Sequence, residues 1–453
     1  MGDKKFLKRF FLGIGATVLN QSINLVYQFA SIAIFIHYWG ESYYGEWLLI
    51  YSFSQYLTMG DVGISTTLSN KVASLMDTKN YIDANKWFSN GWFILTIFSI
   101  SVFFFILFII IFLQKDQYKL ITEPDLIKCL CFTLLYVFVF IQTNLLSGIY
   151  TASLNFAKQK NIDSIAKILE FSSVLICLFF SGKVVLISFS MFFCRSIVLL
   201  YIIYDVQKTF HWFSFKINLI EQRTMKEIIR PAIANMFLNL GYLMYYNGPT
   251  ILVGYYLGNI VVPQYYALMT IIRAAKQLPL LINLPLYPEY SRLIGLNKLK
   301  SARTLHKTAI LATFVVSFLT ITFVLLFSNL LLNILFKNKE INIISPFFEI
   351  CLLALLLQCI WHGSTVVLVG SNKHIKLASH FFLSSILGYI IIIILIPSIQ
   401  LTAVALGLLT IDCLMLFSTS FQVFHLLDEN IKGFFDISIK TISTHLKSFK
   451  NEE

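Results

Sequence analysis

Twelve stretches of this chain stay apolar over roughly 18 residues or more, long enough for a helix to cross a hydrocarbon core. They fall at 10–37, 46–69, 88–113, 126–149, 162–180, 184–204, 231–257, 263–288, 308–334, 345–369, 377–396 and 401–426. The backbone of such a run must satisfy its hydrogen bonds internally, which makes it a helix. Composition agrees. The chain is 57% hydrophobic and only 13% charged, against about 25% charged in soluble proteins. The first run follows a basic start and continues to about Ile36, too long for the apolar core of a secretory signal. The expected fold is an all-α polytopic membrane protein with twelve transmembrane helices.

The net charge of +12 would suggest nucleic acid in a soluble protein. Here cytoplasmic loops explain it, because Lys and Arg accumulate there. With the N-terminus in the cytoplasm, 25 of the 35 basic residues fall in inside segments, five in outside segments and five within spans. Both termini are therefore expected in the cytoplasm. The division is a six-helix bundle at 1–204, a cytoplasmic linker loop at 205–230, a second six-helix bundle at 231–426 and a cytoplasmic tail at 427–453. No loop is long enough for a soluble nucleotide-binding domain, so ATP-driven transport by this chain alone is not expected. The seven cysteines lie in apolar segments without zinc-ligand spacing and read as small buried residues.

The two halves resemble each other. A shift of 219 positions places Leu19-Asn20 on Leu238-Asn239 and Tyr27 on Tyr246. HYWGESYYGEW at 37–47 matches YYLGNIVVPQYYAL at 255–268, each with a Gly after an aromatic-rich helix end and then Tyr-Tyr. A shift of 222 pairs Gln55 with Gln277 and Asp61 with Asn283, but Tyr51 falls on Arg273. This order points to a duplication, with the halves entering the membrane in parallel.

Four spans carry polar stripes at helical spacing. They are Asn20, Asn24 and Gln28; Tyr51, Gln55, Thr58, Asp61, Ser65 and Ser69; Asn235, Asn239, Tyr242 and Tyr246; and Tyr266, Thr270, Arg273 and Gln277, with Lys276 at the edge of the last. Amides in hydrocarbon need partners, so these faces are expected to line a cleft between the bundles. The plainer alternative is hydrogen-bonded glue within each bundle. A charge at the bilayer centre costs several kcal/mol on insertion scales of about 3 kcal/mol per residue, so Arg273 and Lys276 are expected to face a cavity and an anion there. The alternative is that they snorkel or pair with carboxylates. Lys167 and Glu170 suit an intrahelical ion pair. Arg195 and Asp412 either line the cavity or pair with a partner the sequence does not locate. Asp61 either partners Arg273 or carries a coupling proton. His362 and His380 read as packed or hydrogen-bonded.

The helix end HYWGESYYGEW, followed by MGDVGISTTLSNKVA at 59–73, resembles the polysaccharide transporter branch of the multidrug/oligosaccharidyl-lipid/polysaccharide (MOP) exporter superfamily. Most of all it looks like an O-antigen flippase. Gly40 with Tyr44-Gly45, then Asp61, Gly63, Leu68 and Asn70, carry the resemblance, and length and span count extend it over the whole chain. It implies V-shaped inward- and outward-open states of a central cleft. It also implies that a polyprenyl-diphosphate-linked oligosaccharide, an O-antigen-like repeat unit, moves from the cytoplasmic to the periplasmic leaflet of a bacterial inner membrane. The lipid bilayer, a polysaccharide polymerase and chain-length machinery would be its surroundings, with no cofactor, no nucleic acid and no enzymatic step. A cleft built within one chain suits a monomer.

A diphosphate crossing the midplane calls for fixed cations, and Arg forks onto phosphate oxygens. Arg273 ranks first, then Lys276 and Arg195, with Gln277, Asp61, Asn24, Gln28, Gln55 and Asn239 as further substrate contacts. Pro249, Pro279 and Pro285 are candidate hinges. The chief rival is a cation-coupled drug or metabolite antiporter of the same superfamily, which predicts an acidic cavity. A membrane polysaccharide polymerase or glycosyltransferase ranks lower for want of a large outer loop. A non-transporting scaffold leaves Arg273 and Lys276 without a reason.

Overall fold

The computed structural model describes residues 2–429 apart from 116–124, 337–345 and positions 62, 78, 154, 181, 215, 216, 284, 285, 372 and 374. Among the described residues every regular element is helical. In order these are α1 (Gly2–Gln55), a 3₁₀ turn (Tyr56–Asp61), α2 (Ile64–Asp77), α3 (Tyr81–Lys115), α4 (Leu126–Ala152), α5 (Phe156–Phe180) and α6 (Val184–Thr209). After a short 3₁₀ turn come α7 (Gln222–Tyr246), α8 (Gly248–Leu257), α9 (Val261–Ala275), α10 (Gln277–Asn283) and α11 (Leu286–Gly295). The chain continues with α12 (Leu299–Phe336), α13 (Phe347–Gly370), α14 (Ile375–Ile399) and α15 (Leu401–Leu427).

Eight of the described helical stretches are long and apolar enough to cross a membrane. The first, Gly15–Thr58, holds two of the twelve expected passages, because α1 breaks at Gly40. Three more passages escape that criterion for local reasons. Charge crowds α5, which carries Lys158, Lys160, Asp163, Lys167 and Glu170. The other two are interrupted by proline. Pro249 has no N–H for the Tyr245 carbonyl, and α7 ends at Tyr246; Pro279 has none for the Ala275 carbonyl, and α9 ends there. Phe104, Phe105, Phe108 and Phe112 on α3, and Phe318, Phe323 and Leu326 on α12, stand exposed. Such an outward apolar surface suits hydrocarbon rather than water.

The chain divides into two compact units. The first holds Met1–Ala267 with Leu335–Lys337, and the second holds Leu268–Ile334 with Asn338–Glu453. In the first, α4 packs on α6, α1 on α5 and α4, α2 on α3 and α4, and α7 on α2 and α3. In the second, α15 packs on α13 and α14, and α10 and α11 lie on α13. Gly388 and Gly407 let α14 and α15 close up; a Cβ on Gly388 would stand 2.8 Å from the Gly407 carbonyl oxygen. Small residues permit this approach where no water drives helices together.

The turns at Gly40 and Gly258 adopt one conformation. Gly40 has φ 74° and ψ 175°, and Gly258 has φ 85° and ψ 165°, a region open essentially to glycine alone. The two turns also meet inside the first unit. Gln264 donates to Glu41 Oε2 at 3.4 Å. A Cβ on Gly45 would lie 2.0 Å from the Asn259 carbonyl oxygen. Gly45→Ala is therefore expected to abolish most folded protein, because backbone would have to move. Gly40→Ala meets no atom within 4 Å and is expected to cost only backbone strain of about 1–3 kcal/mol. Monodisperse yield after detergent extraction checks both, and equal yields from the two variants would overturn this packing.

Candidate functional site

The first unit contains a pocket of about 290 Å³. Thr58 and Asp61 reach it from the 3₁₀ turn, Phe140, Ile141 and Asn144 from α4, and Asn239, Tyr242, Leu243, Tyr246 and Asn247 from α7 and its end. A 3₁₀ stretch amid long helices is a common place for a functional bend. Here it brings Asp61 to the wall, where Oδ1 accepts the Ser65 amide at 2.9 Å in the first turn of α2. Tyr242 and Tyr246 stack one turn apart, centroids 6.3 Å and planes 11° from parallel. Two predicted stripes thus meet: Thr58 and Asp61 face Asn239, Tyr242 and Tyr246. The fourth span's contribution was not anticipated. Its one signal was Asn144 in the apolar run IQTNLLSG.

Asn24, Gln28, Gln55 and Arg195 are not among the described residues that line that pocket. Asn24 accepts a hydrogen bond from Lys167 Nζ and donates to Asn20 Oδ1 at 3.2 Å, while Asn20 donates to Ser164 on α5 at 3.0 Å. These amides bind α1 to α5. Gln28 and Gln55 are half-buried, and their backbone carbonyls accept from Ser31 at 3.0 Å and Thr58 at 2.6 Å.

Arg195 is buried against Glu170, Nε to Oε1 2.5 Å, with the Phe140 ring 4.9 Å from its guanidinium carbon. Tyr136 donates to the other Glu170 oxygen at 3.2 Å. The expected intrahelical Lys167–Glu170 pair is thus replaced. Glu170 turns to α6 and Lys167 to α1: the guanidinium gives the buried carboxylate its counter-charge and the phenol gives it a hydrogen bond.

The eighth passage turns at Lys276, between α9 and α10. Arg273 is half-buried in the last turn of α9, Lys276 is only 6% exposed, and half-buried Gln277 opens α10. Pro279 is buried in α10, and Asn283 Nδ2 donates to its carbonyl at 3.3 Å. Thr313 donates to Asn283 Oδ1 at 3.4 Å. Pro249 lies in the first turn of α8; Pro285 falls outside the described residues. Asp412, fully buried, accepts the Trp361 indole N–H at 2.9 Å, which gives it the partner the sequence did not locate. His380 pairs with Ser418 at 2.5 Å and His306 with Ser364 at 3.2 Å.

No family model matches the chain, and no curated protein matches its sequence. Solved structures do match. An inward-facing multidrug resistance MATE family transporter of the MOP superfamily aligns with TM-score 0.69 at 12% identity, over 91% of this chain and 99% of that one. The lipid II flippase MurJ, in an inward closed conformation, aligns with TM-score 0.67 at 13% identity, over 98% and 93%. A MOP superfamily transporter from Pyrococcus furiosus, described by the reverse polarity of its binding pocket, aligns with TM-score 0.55 at 11% identity, over 93% and 95%. The multi-pass membrane fold of this chain is the one shared by transporters of the MOP superfamily.

Proposed function

We propose that this chain is a flippase that moves a polyprenyl-diphosphate-linked oligosaccharide, an O-antigen-like repeat unit, across a bacterial inner membrane by alternating access. The observation that carries this reading is the pair of cations, half-buried Arg273 and buried Lys276, within one apolar passage just ahead of Pro279. Two adjacent cations suit a diphosphate. The shared fold includes a lipid II flippase as well as drug transporters, so it supports transport and leaves the cargo to the charge of the site. Both termini would lie in the cytoplasm, following the skew of basic residues.

A second reading, a cation-coupled antiporter, is favoured by Asp61 in the wall of the first unit's pocket. Complementation separates the two. In cells lacking their own flippase, the wild-type chain is expected to restore surface polysaccharide and clear lipid-linked repeat units from the cytoplasmic leaflet. Failure with several donor glycans, together with cation-driven efflux of aromatic cations from vesicles, would move the assignment to the antiporter.

A further inference from the structure

We infer that the pocket of the first unit is a glycan subsite: it receives one sugar ring of the cargo, apart from the cations assigned to the diphosphate. The inference rests on the flippase reading for its cargo and on the pocket alone for its chemistry. A sugar ring offers two things to a protein. Its hydroxyls donate and accept hydrogen bonds, and its C–H faces are apolar. The walls answer both. Asn144, Asn239 and Asn247 each carry an amide that donates and accepts, and Asp61 accepts. Tyr242 and Tyr246 add ring surface beside them.

Size and charge narrow the ligand further. At about 290 Å³ the pocket lies at the lower end of small-molecule sites, roughly 300–1,000 Å³. That is room for a single ring and too little for a whole repeat unit. Among the described residues, the lining includes Asp61 and no Lys or Arg. A diphosphate would meet a like charge there, which costs several kcal/mol, whereas a neutral polyhydroxyl ring would not. The walls come from three separate segments, the 3₁₀ turn, α4 and α7. Side-chain changes on any of them would alter which ring fits, so this pocket is where sugar specificity would reside.

The test uses the purified full chain in detergent micelles and ligand-observed saturation-transfer NMR, with methyl glycosides of hexoses and N-acetylhexosamines and one aromatic cation as probes. At least one glycoside is expected to receive saturation. Asn144→Leu, Asn239→Leu and Tyr246→Ala are each expected to reduce that transfer at least fivefold. Tyr246→Phe keeps the ring and is expected to stay within twofold of wild type, which separates contact from misfolding. Saturation of no glycoside, saturation of the cation alone, or glycoside transfer indifferent to all three pocket variants each overturns the subsite. Glycoside binding that responds to the pocket, in a chain that fails complementation, upholds the subsite and sinks the flippase reading. Complementation without glycoside binding does the reverse.

Discussion

Replacing Arg273 and Lys276 together by alanine is expected to cut glycan export at least a hundredfold in complemented cells, at matched membrane levels. A hydrogen bond to a charged group contributes about 1.5–3 kcal/mol, and 1.4 kcal/mol is a factor of ten. Two such partners for a diphosphate therefore multiply to about two orders of magnitude or more. The single variants divide unequally. Arg273 is half-buried at the end of α9, whereas Lys276 is nearly enclosed at the turn, so Arg273→Ala is expected to lose more transport. Arg273→Lys keeps the charge and loses the fork, and should fall between wild type and Arg273→Ala. The measurement is the rate at which surface polysaccharide appears, alongside the lipid-linked pool retained inside. Export at the wild-type rate in the double variant would remove the cationic site while leaving transport in place.

Glu170→Ala is expected to destabilise the first unit by about 3–5 kcal/mol, the usual consequence of leaving a buried charge without its partner. Arg195 is only 2% exposed and sits among Glu170, Tyr136 and Phe140, where water cannot replace the lost carboxylate. The double variant Glu170→Leu with Arg195→Met removes both charges and keeps apolar volume, so its stability should return close to wild type. Thermal unfolding of the purified chain, followed by loss of monodisperse protein, reads the difference. If the double variant melts as early as the single one, the ion pair is not the unit that holds α5 to α6.

Much of the site was legible residue by residue, and little of it in combination. The stripes Thr58–Asp61 and Asn239–Tyr246 were visible as faces, because helical spacing alone assigns a face. That they share one pocket required the 3₁₀ turn and the packing of α7 on α2 and α3. Asn24 carried the same signal as Asn239, yet it binds Ser164's neighbour Lys167 and Asn20 rather than lining that pocket. An amide at helical spacing states that a partner exists and does not say whether the partner is a ligand or the next helix. For Glu170 the nearest cation in sequence, Lys167, lost to Arg195, 25 positions away in the chain but 2.5 Å away in space.

The helical membrane class follows from run length and the deficit of charge alone. The helix ends within the seventh and eighth passages follow from sequence too, because a proline removes a donor wherever it stands. The glycine turns belong to the same group: Gly40 and Gly258 repeat one conformation that other side chains resist. Which polar groups meet is settled by the packing of the helices. Hydrogen bonds and ion pairs act within a few ångströms, and the distances between separate helices are set by packing, which periodicity along one helix does not encode.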